Sequence, residues 1–193
     1  RDTQIHAFLA MILGVGVILG MIEVAQDGIP VEKAVREAIF NVTSIASGTG
    51  YSSVDYQLWG PDAMVVIFFV GLIGGCAGST CCSIKMFRYQ ILWAAIVGQI
   101  RRIHTPHGIF SLRYAGQTVT EDVVSSVMAF FTMFIVSLAV IAVLLGTTGL
   151  DFVTAVSGAA TAIGNIGPGL GPIIGPAGNF ETINDFAKWV LIF

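Results

Sequence analysis

The sequence predicts an all-α membrane protein built from two tandem units, each with an outer helix, a re-entrant pore helix and loop, and an inner helix. Three observations favour this fold class. Hydrophobic residues make up 55% of the 193 positions and charged residues 11%, whereas soluble domains carry about 25% charge. Long apolar segments alternate with helical segments too short to cross a bilayer. Two of the short segments run into similar glycine-rich strings.

The first unit is predicted to span residues 1–102. Pro30 suits the first turn of a helix, where its missing N–H needs no partner, and four glycines within residues 71–78 interrupt the inner helix. Each of these glycines disfavours helix by about 1 kcal/mol relative to alanine. The predicted parts are an outer helix at 5–25, a pore helix at 31–46, a filter loop at 47–52 and an inner helix at 62–102, broken near 74–83.

The second unit repeats this order over residues 121–193, after a polar connection at 103–120 that we expect to be cytoplasmic. Asp151 is placed to cap the second pore helix. The final inner helix begins near Asn184 and is shorter than the roughly 20 residues that a crossing requires. We therefore expect the final helix to be truncated and the chain to belong to a longer protein.

The two glycine strings align when the chain is shifted by about 117 positions, which lays Ser44 over Thr161 and Gly50 over Gly167. A helix directs the negative end of its dipole at the loop that follows it. Carbonyl oxygens there can replace the hydration shell of a cation. The residues predicted to offer carbonyls are Gly48, Thr49, Gly50, Tyr51, Asn165, Ile166, Gly167 and Pro168. Ordinary helix C-caps with glycine are the alternative interpretation.

The interruption at residues 71–83 also has more than one interpretation. A broken helix beneath the loops predicts a hinge or plug, whereas small residues also permit close helix packing in membranes. A phosphate-binding loop is disfavoured because Ser79 stands where its lysine should be. We interpret Cys76, Cys81 and Cys82 as small buried residues, and we expect no transition-metal site.

Charge placement predicts orientation. Basic residues outnumber acidic ones between 85 and 122, which places that segment in the cytoplasm by the positive-inside rule. The pore helices then face outward, with an acidic mouth that attracts cations. A net charge of −3 argues against a nucleic-acid partner.

Three motifs in order resemble one family of transporters. They are Phe40-Asn-Val-Thr-Ser-Ile with Thr49-Gly-Tyr51, Gly74-Gly-Cys-Ala-Gly-Ser-Thr80 with Ile84-Lys85, and Gly164-Asn-Ile-Gly-Pro-Gly-Leu-Gly171. Together they resemble the TrkH-type potassium uptake subunit of the Trk/Ktr/HKT superfamily, over nearly the whole chain.

The resemblance implies that four such units form one pore with pseudo-fourfold symmetry and that this chain holds the last two. It implies central filter glycines at Gly50 and Gly167. It also implies a gating loop over residues 74–83, with Lys85 beside it, whose candidate residues are Gly74, Gly75, Gly78, Ser79, Thr80 and Lys85. Two departures matter: Cys81-Cys82-Ser83 stands where small residues are expected, and the positive residue of the last inner helix would lie beyond residue 193.

The resemblance further implies a multi-pass protein of the bacterial inner membrane, surrounded by lipid, that forms a homodimer on a cytoplasmic nucleotide-binding regulatory ring. The predicted function is potassium uptake through a carbonyl filter, with K⁺ as the transported ion, no cofactor and no enzymatic activity. Two alternatives stay open. One is a secondary transporter with discontinuous helices and a midplane site for another small cation or solute. The other is a membrane subunit that serves only in assembly.

Overall fold

The computed structural model describes residues 3–105, 112–114 and 116–192. Residues 1–2 of the first predicted unit, residue 193 of the second, and residues 106–111 and 115 of the predicted connection lie outside the described ranges. Helices are the main regular structure of the described chain, as predicted. The helices are α1 (Thr3–Asp27), α2 (Val31–Ser47), a short 3-10 helix (Tyr56–Trp59), α3 (Pro61–Ile73), α4 (Met86–His104), α5 (Glu121–Gly146), α6 (Phe152–Gly164) and α7 (Asp185–Ile192). Strands β1 (Arg113–Tyr114) and β2 (Gln117–Thr118) form a small antiparallel hairpin.

Within the part of the chain that the structure describes, two helices have the length and composition of membrane spans, Thr3–Gln26 in α1 and Glu121–Gly146 in α5. Each exposes a broad apolar face, with Leu13 and Val143 more than half exposed. Such faces suit lipid or further helices better than water. By contrast, α2 has 17 residues and α6 has 13, both too short to cross a hydrocarbon core of about 30 Å.

Glycines bring α1 and α2 into close contact. A Cβ atom at Gly16 would lie 2.6 Å from Cγ1 of Ile39, and one at Gly20 would lie 2.9 Å from Cα of Val35. Any larger side chain at either position would push the two helices apart. The spacing of four residues between these glycines is the small-residue motif with which membrane helices pack closely.

The predicted break in the first inner helix lies between α3 and α4. The chain leaves helix at Gly74, whose φ is +68°, and re-enters it after Lys85, whose φ is also +68°. A left-handed lysine is uncommon, so the surrounding contacts hold the chain in this conformation. Helix resumes at Met86, two residues later than the sequence suggested.

Asp151 caps α6 as its sequence position predicts. Its Oδ2 accepts a hydrogen bond from the backbone N–H of Thr154 at 3.1 Å. Hydrogen bonding by Thr154 holds the pKa of the Asp151 carboxyl below its ordinary value. The carboxylate also lies at the positive end of the helix dipole, which stabilises the start of the second pore helix.

Two elements were not predicted. The 3-10 helix lies in what the sequence presented as a polar return after the first loop, and its start is marked by Asp55, which accepts from the N–H of Gln57 at 3.1 Å. The hairpin lies within the connection at 103–120. Both are shorter than the window over which periodicity can be recognised.

The apolar core joins the two units. Buried residues of α1, α2 and α3 pack together with Ile166 and Leu170, which follow α6. A second cluster, which includes Leu145, Ala159 and Ile174, holds α5 and α6 to the segment before α7. The glycine strings of both units therefore meet inside the core that the units share.

Candidate functional site

The two pore helices end in the same way. The first glycine loop (residues 48–52) begins at Gly48, and the second glycine loop (residues 164–171) holds Asn165 at the matching position. Both residues are left-handed, with φ of +70° and +48°. The N–H of Gly48 donates to the carbonyl of Ile45 at 3.1 Å, and that of Asn165 to Ala162 at 3.2 Å. Both ends are therefore left-handed C-caps. This geometry is also compatible with a filter, because a C-cap determines the hydrogen bonds of the N–H groups and does not involve the carbonyl oxygens of the loop.

The residues that follow the two caps also donate hydrogen bonds to matching positions. The N–H of Thr49 donates to the carbonyl of Ser44 at 2.9 Å, and the N–H of Ile166 donates to that of Thr161 at 3.0 Å. The N–H of Gly50 also points to Ser44, at 3.4 Å. The N–H of Gly167 instead meets the hydroxyl of Thr161, at 3.0 Å. The helix ends thus accept hydrogen bonds from three successive N–H groups in each loop, those of residues 48–50 and 165–167.

The carbonyl oxygens of the loops are left without such partners. Within the described ranges, no hydrogen bond is accepted by the backbone oxygens of Gly48, Thr49, Gly50, Tyr51, Asn165, Ile166, Gly167 and Pro168. Buried or half-buried backbone acceptors normally find a partner. A row of oxygens without one, at the negative ends of two helices, can coordinate a cation.

The two loops lie directly against each other. A Cβ atom at Gly50 would collide with the carbonyl oxygen of Ile166, and one at Gly48 would lie 3.5 Å from the oxygen of Asn165. A Cβ atom at Gly167 would lie 3.6 Å from Cα of Gly50. The oxygens of Asn165 and Ile166 therefore lie beside the first loop. Thr49, Tyr51, Asn165 and Gly167 are exposed, while Ile166 is buried.

Glycine is required at the centre of each loop for conformational reasons as well. Gly50 has a φ of +78° and Gly167 a φ of +113°, values that disfavour any side chain. At Gly50 the collision with Ile166 is added to this strain. The first loop is therefore the less tolerant of the two.

One polar side chain on each pore helix forms hydrogen bonds to a residue near the end of the glycine loop. Asn41 is fully buried; its Oδ1 accepts from the N–H of Ser53 at 3.1 Å and its Nδ2 donates to the Ser53 hydroxyl at 2.9 Å. Ser157 does the same for Leu170, accepting from its N–H at 2.8 Å and donating to its carbonyl at 3.0 Å. We call these two contacts staples. Ser53 and Leu170 are 117 positions apart, whereas Asn41 and Ser157 are 116 apart, so the staples are similar but offset by one residue on the pore helix. Sequence reasoning missed them, although a buried polar residue on an apolar helical face is a usable signal.

The interhelical loop (residues 74–85) lies against the ends of both pore helices. The thiol of Cys81 donates to the carbonyl of Ser47 at 2.8 Å, immediately before the first loop. The hydroxyl of Ser83 donates to the carbonyl of Gly71 at 2.8 Å, and a Cβ atom at Gly164 would lie 2.9 Å from that hydroxyl oxygen. The segment thus touches both units beside their loops.

Internal contacts give the interhelical loop a defined shape. Lys85 Nζ donates to the carbonyl of Ser79 at 3.2 Å, and Ser79 Oγ donates to the carbonyl of Cys76 at 2.6 Å. Gly74 and Gly75 are buried, Ser79 and Lys85 half-buried, and Gly78 and Thr80 exposed. A Cβ atom at Gly75 would lie 2.7 Å from the sulfur of Cys81. Glycine is therefore needed where the loop folds back on itself.

The prediction that the three cysteines are buried is wrong for Cys82, which is exposed, and Cys76 is half-buried. Only Cys81 is buried. The reason is local: Cys81 turns toward Ser47, and its neighbour is left on the other side of the irregular segment. None of the three forms a disulfide.

Some of the acidic residues assigned to the mouth have basic neighbours on their own helix. Glu37 lies 3.9 Å from Lys33, Glu32 lies 3.6 Å from Arg36, and Asp185 lies 3.3 Å from Lys188. Exposed pairs of this kind contribute at most about 1 kcal/mol to stability. They do reduce the negative field that these three carboxylates could present to a cation.

A groove of about 510 Å³ lies between α5 and α7. Its lining is apolar except for Ser137, and includes Val140, Phe186 and Trp189. A site for a polar solute needs several convergent polar groups. This groove does not supply them.

Short helices that end in adjoining carbonyl loops, set among long apolar helices, define a membrane transport protein for cations. The chain belongs to the TrkH family: residues 3–193 match the family model described as TrkH, cation transport protein. The predicted family and fold class are both confirmed.

Named relatives cover the whole of this chain or most of it. It is 43% identical over 191 residues to the Trk system potassium uptake protein TrkI of Halomonas elongata, an alignment that covers 99% of this chain and 39% of that protein. It is 33% identical over 159 residues to the Trk system potassium uptake protein TrkH of Vibrio parahaemolyticus, covering 82% and 32% respectively. The chain spans about two fifths of the length of the first of these relatives.

A solved structure shows the same fold. The crystal structure of the potassium transporter TrkH from Vibrio parahaemolyticus superposes with a TM-score of 0.87 at 29% sequence identity. The match covers 98% of this chain and 40% of that one. The chain is therefore a membrane protein with the fold of a transporter.

Proposed function

We propose that this chain supplies two of the four pore units of a potassium uptake protein in the bacterial inner membrane. K⁺ would pass down its electrochemical gradient through a filter of backbone carbonyls. The observation that carries the proposal is the pairing of the two glycine loops. Two left-handed helix caps lie side by side; the N–H groups of residues 48–50 and 165–167 donate to the helix ends, and within the described ranges the carbonyl oxygens of residues 48–51 and 165–168 accept no hydrogen bond.

The chemistry follows from this pairing. A dehydrated K⁺ needs several oxygens at once, and uncharged carbonyl dipoles hold it firmly enough to enter and weakly enough to leave. The oxygens of Asn165 and Ile166 lie beside Gly48 and Gly50, so one ion could contact both loops. We assign the coordinating oxygens to Gly48, Thr49, Gly50, Tyr51, Asn165, Ile166, Gly167 and Pro168. Two further units of the full-length protein would complete the ring.

The interhelical loop is proposed to gate this path. Its Cys81 thiol contacts Ser47, the residue before the first loop, and its Ser83 lies beside Gly164, at the start of the second. Within the segment Gly78 is exposed, with a φ of +81° and open space around it, so this part can change conformation at low cost. We assign the gate to residues 74–83 together with Lys85, whose ammonium group holds the carbonyl of Ser79.

The partners are proposed from the resemblance to the TrkH family. We propose that the full-length protein forms a homodimer in the membrane and rests on a ring of cytoplasmic nucleotide-binding subunits. The segment from Arg101 to Thr120 would face that ring. It starts with the basic last turn of α4, which suits the cytoplasmic side of a membrane.

A secondary transporter of another small solute is the competing function. It would need a polar pocket near the middle of the membrane. The groove between α5 and α7 is apolar apart from Ser137, so this groove does not supply such a pocket.

Potassium is expected to stabilise the purified full-length protein against heat. Ligand present at about 100 times its dissociation constant adds about 2.7 kcal/mol to the free energy of unfolding. Melting should therefore be measured in KCl, NaCl and N-methyl-D-glucamine chloride at equal ionic strength. We expect the highest melting temperature in KCl, and loss of this difference in Gly167→Asp. Equal melting temperatures in all three salts would contradict the proposal and favour a subunit that serves only in assembly.

A further inference from the structure

The side chain of Gln57 crosses from the first unit to the second. Gln57 lies on the 3-10 helix that follows the first glycine loop, seven residues after Gly50. Its Oε1 accepts a hydrogen bond from the backbone N–H of Gly171, the last residue of the second glycine loop, at 2.6 Å. The two residues are 114 positions apart. This is a tertiary contact between the units at their glycine loops.

The orientation of the Gln57 amide is determined by its two partners. Its Nε2 donates to Oδ1 of Asp55 at 3.3 Å, and a carboxylate can only accept there. Its oxygen must then face the N–H of Gly171. The amide is also enclosed, since a Cβ atom at Gly175 would collide with Nε2. The side chain therefore occupies one defined position.

Gly171 is held from the opposite side as well. Its φ is +100°, and a Cβ atom at this position would collide with the hydroxyl oxygen of Thr154 on α6. The preceding residue, Leu170, is stapled to Ser157 on the same helix. The end of the second loop is thus clamped between its own pore helix and the Gln57 side chain of the other unit.

A second contact supports the same junction. The hydroxyl of Ser52, at the end of the first loop, donates to the carbonyl of Pro176 at 3.2 Å. Ser52 is exposed, so this bond competes with water and contributes less. The Gln57 bond is shorter and partly buried. It is the stronger of these two polar constraints on the spacing between the loops.

We infer that Gln57 is a positioning residue that fixes the second glycine loop relative to the first and thereby sets the discrimination of the filter between K⁺ and Na⁺. The inference rests on the proposed function. Discrimination depends on the number and arrangement of carbonyls around the ion. A looser junction changes that arrangement without removing any carbonyl. Conduction should therefore persist while selectivity falls.

The test is the ratio of K⁺ flux to Na⁺ flux in liposomes that contain the full-length protein. Gln57→Leu keeps much of the side-chain volume and removes both hydrogen bonds. The ratio is expected to fall by about 3- to 10-fold, the effect of one hydrogen bond. Gln99→Leu, the same change at an exposed glutamine in α4, serves as the matched control and should leave the ratio unchanged. An unchanged ratio in Gln57→Leu would overturn the inference.

Exchanging the amide at position 57 with the carboxylate at position 55 distinguishes a positioning role from general structural damage. Gln57→Glu keeps an acceptor for Gly171 but places two carboxylates together, so the flux ratio should fall. Adding Asp55→Asn supplies an amide donor to Glu at position 57 and should restore the ratio. Failure of this rescue would also overturn the inference, even if Gln57→Leu does not fold.

A parallel measurement on Gly50→Asp keeps the two proposals distinguishable. If Gly50→Asp abolishes flux and the Gln57 variants keep wild-type selectivity, only the role of Gln57 is wrong. If Gly50→Asp transports like the wild type, the filter itself is misassigned.

Discussion

Replacing Gly50 with aspartate or alanine is expected to reduce K⁺ uptake by the full-length protein more than about tenfold. A side chain at Gly50 meets two obstacles: a φ of +78° that β-carbons disfavour, and the carbonyl oxygen of Ile166 in the space that the Cβ atom would occupy. The collision is relieved only if one loop moves away from the other. This movement separates the oxygens that would hold the ion. Uptake can be measured with ⁸⁶Rb⁺ in cells that lack their own potassium transporters.

Gly167 provides an internal comparison. Its φ of +113° disfavours a side chain, but a Cβ atom there would lie at an ordinary contact distance, 3.6 Å from Cα of Gly50. Gly167→Ala should therefore reduce uptake less than Gly50→Ala, and Gly167→Asp should be severe because it adds a carboxylate beside the ion path. Gly149→Ala is the matched control, since Gly149 has a φ of +86° with open space around it. Unchanged uptake and selectivity in both aspartate variants would contradict the filter assignment.

Shortening the interhelical loop is expected to raise ion leak. Deletion of Cys76 through Thr80 removes exposed Gly78 and Thr80 together with Ser79, whose carbonyl holds Lys85. If the loop closes the path beneath the filter, its loss should increase basal K⁺ flux several-fold. The measurement is single-channel or liposome flux without any regulatory subunit.

A milder variant tests the same assignment with less disruption. Lys85→Met removes the ammonium group that holds the carbonyl of Ser79 at 3.2 Å and keeps most of the side chain. Its basal flux should lie between those of the wild type and the deletion. A deletion protein that folds normally but shows unchanged or abolished flux would count against a gating role.

The order of helices and both glycine loops could be predicted from the sequence because they depend on local features. Apolar runs predicted α1 and α5, Asp151 predicted the start of α6, and the glycines at 71–78 predicted the break before α4. The family resemblance and the fold class were confirmed by the comparisons with known proteins. The coordinating and gating roles of individual residues remain predictions.

What could not be predicted depends on contacts between distant parts of the chain. The staple between Asn41 and Ser53 spans 12 positions, and the bond between Gln57 and Gly171 spans 114. Hydrophobic periodicity in the sequence cannot identify such partners, because they are determined by how the two units pack together. The collision at Gly50 is of the same kind: the resemblance implied a central filter glycine at this position, but only the fold brings Ile166 beside it.

The central claim is that oxygens of two adjoining loops hold a dehydrated alkali cation. Anomalous diffraction from crystals of the full-length protein grown with Tl⁺ or Rb⁺ tests it most directly. We predict an anomalous peak between the first and second glycine loops, within about 3 Å of carbonyl oxygens from both and absent from Gly50→Asp crystals. Occupied cation sites elsewhere in the protein, with no peak between these loops, would contradict the claim.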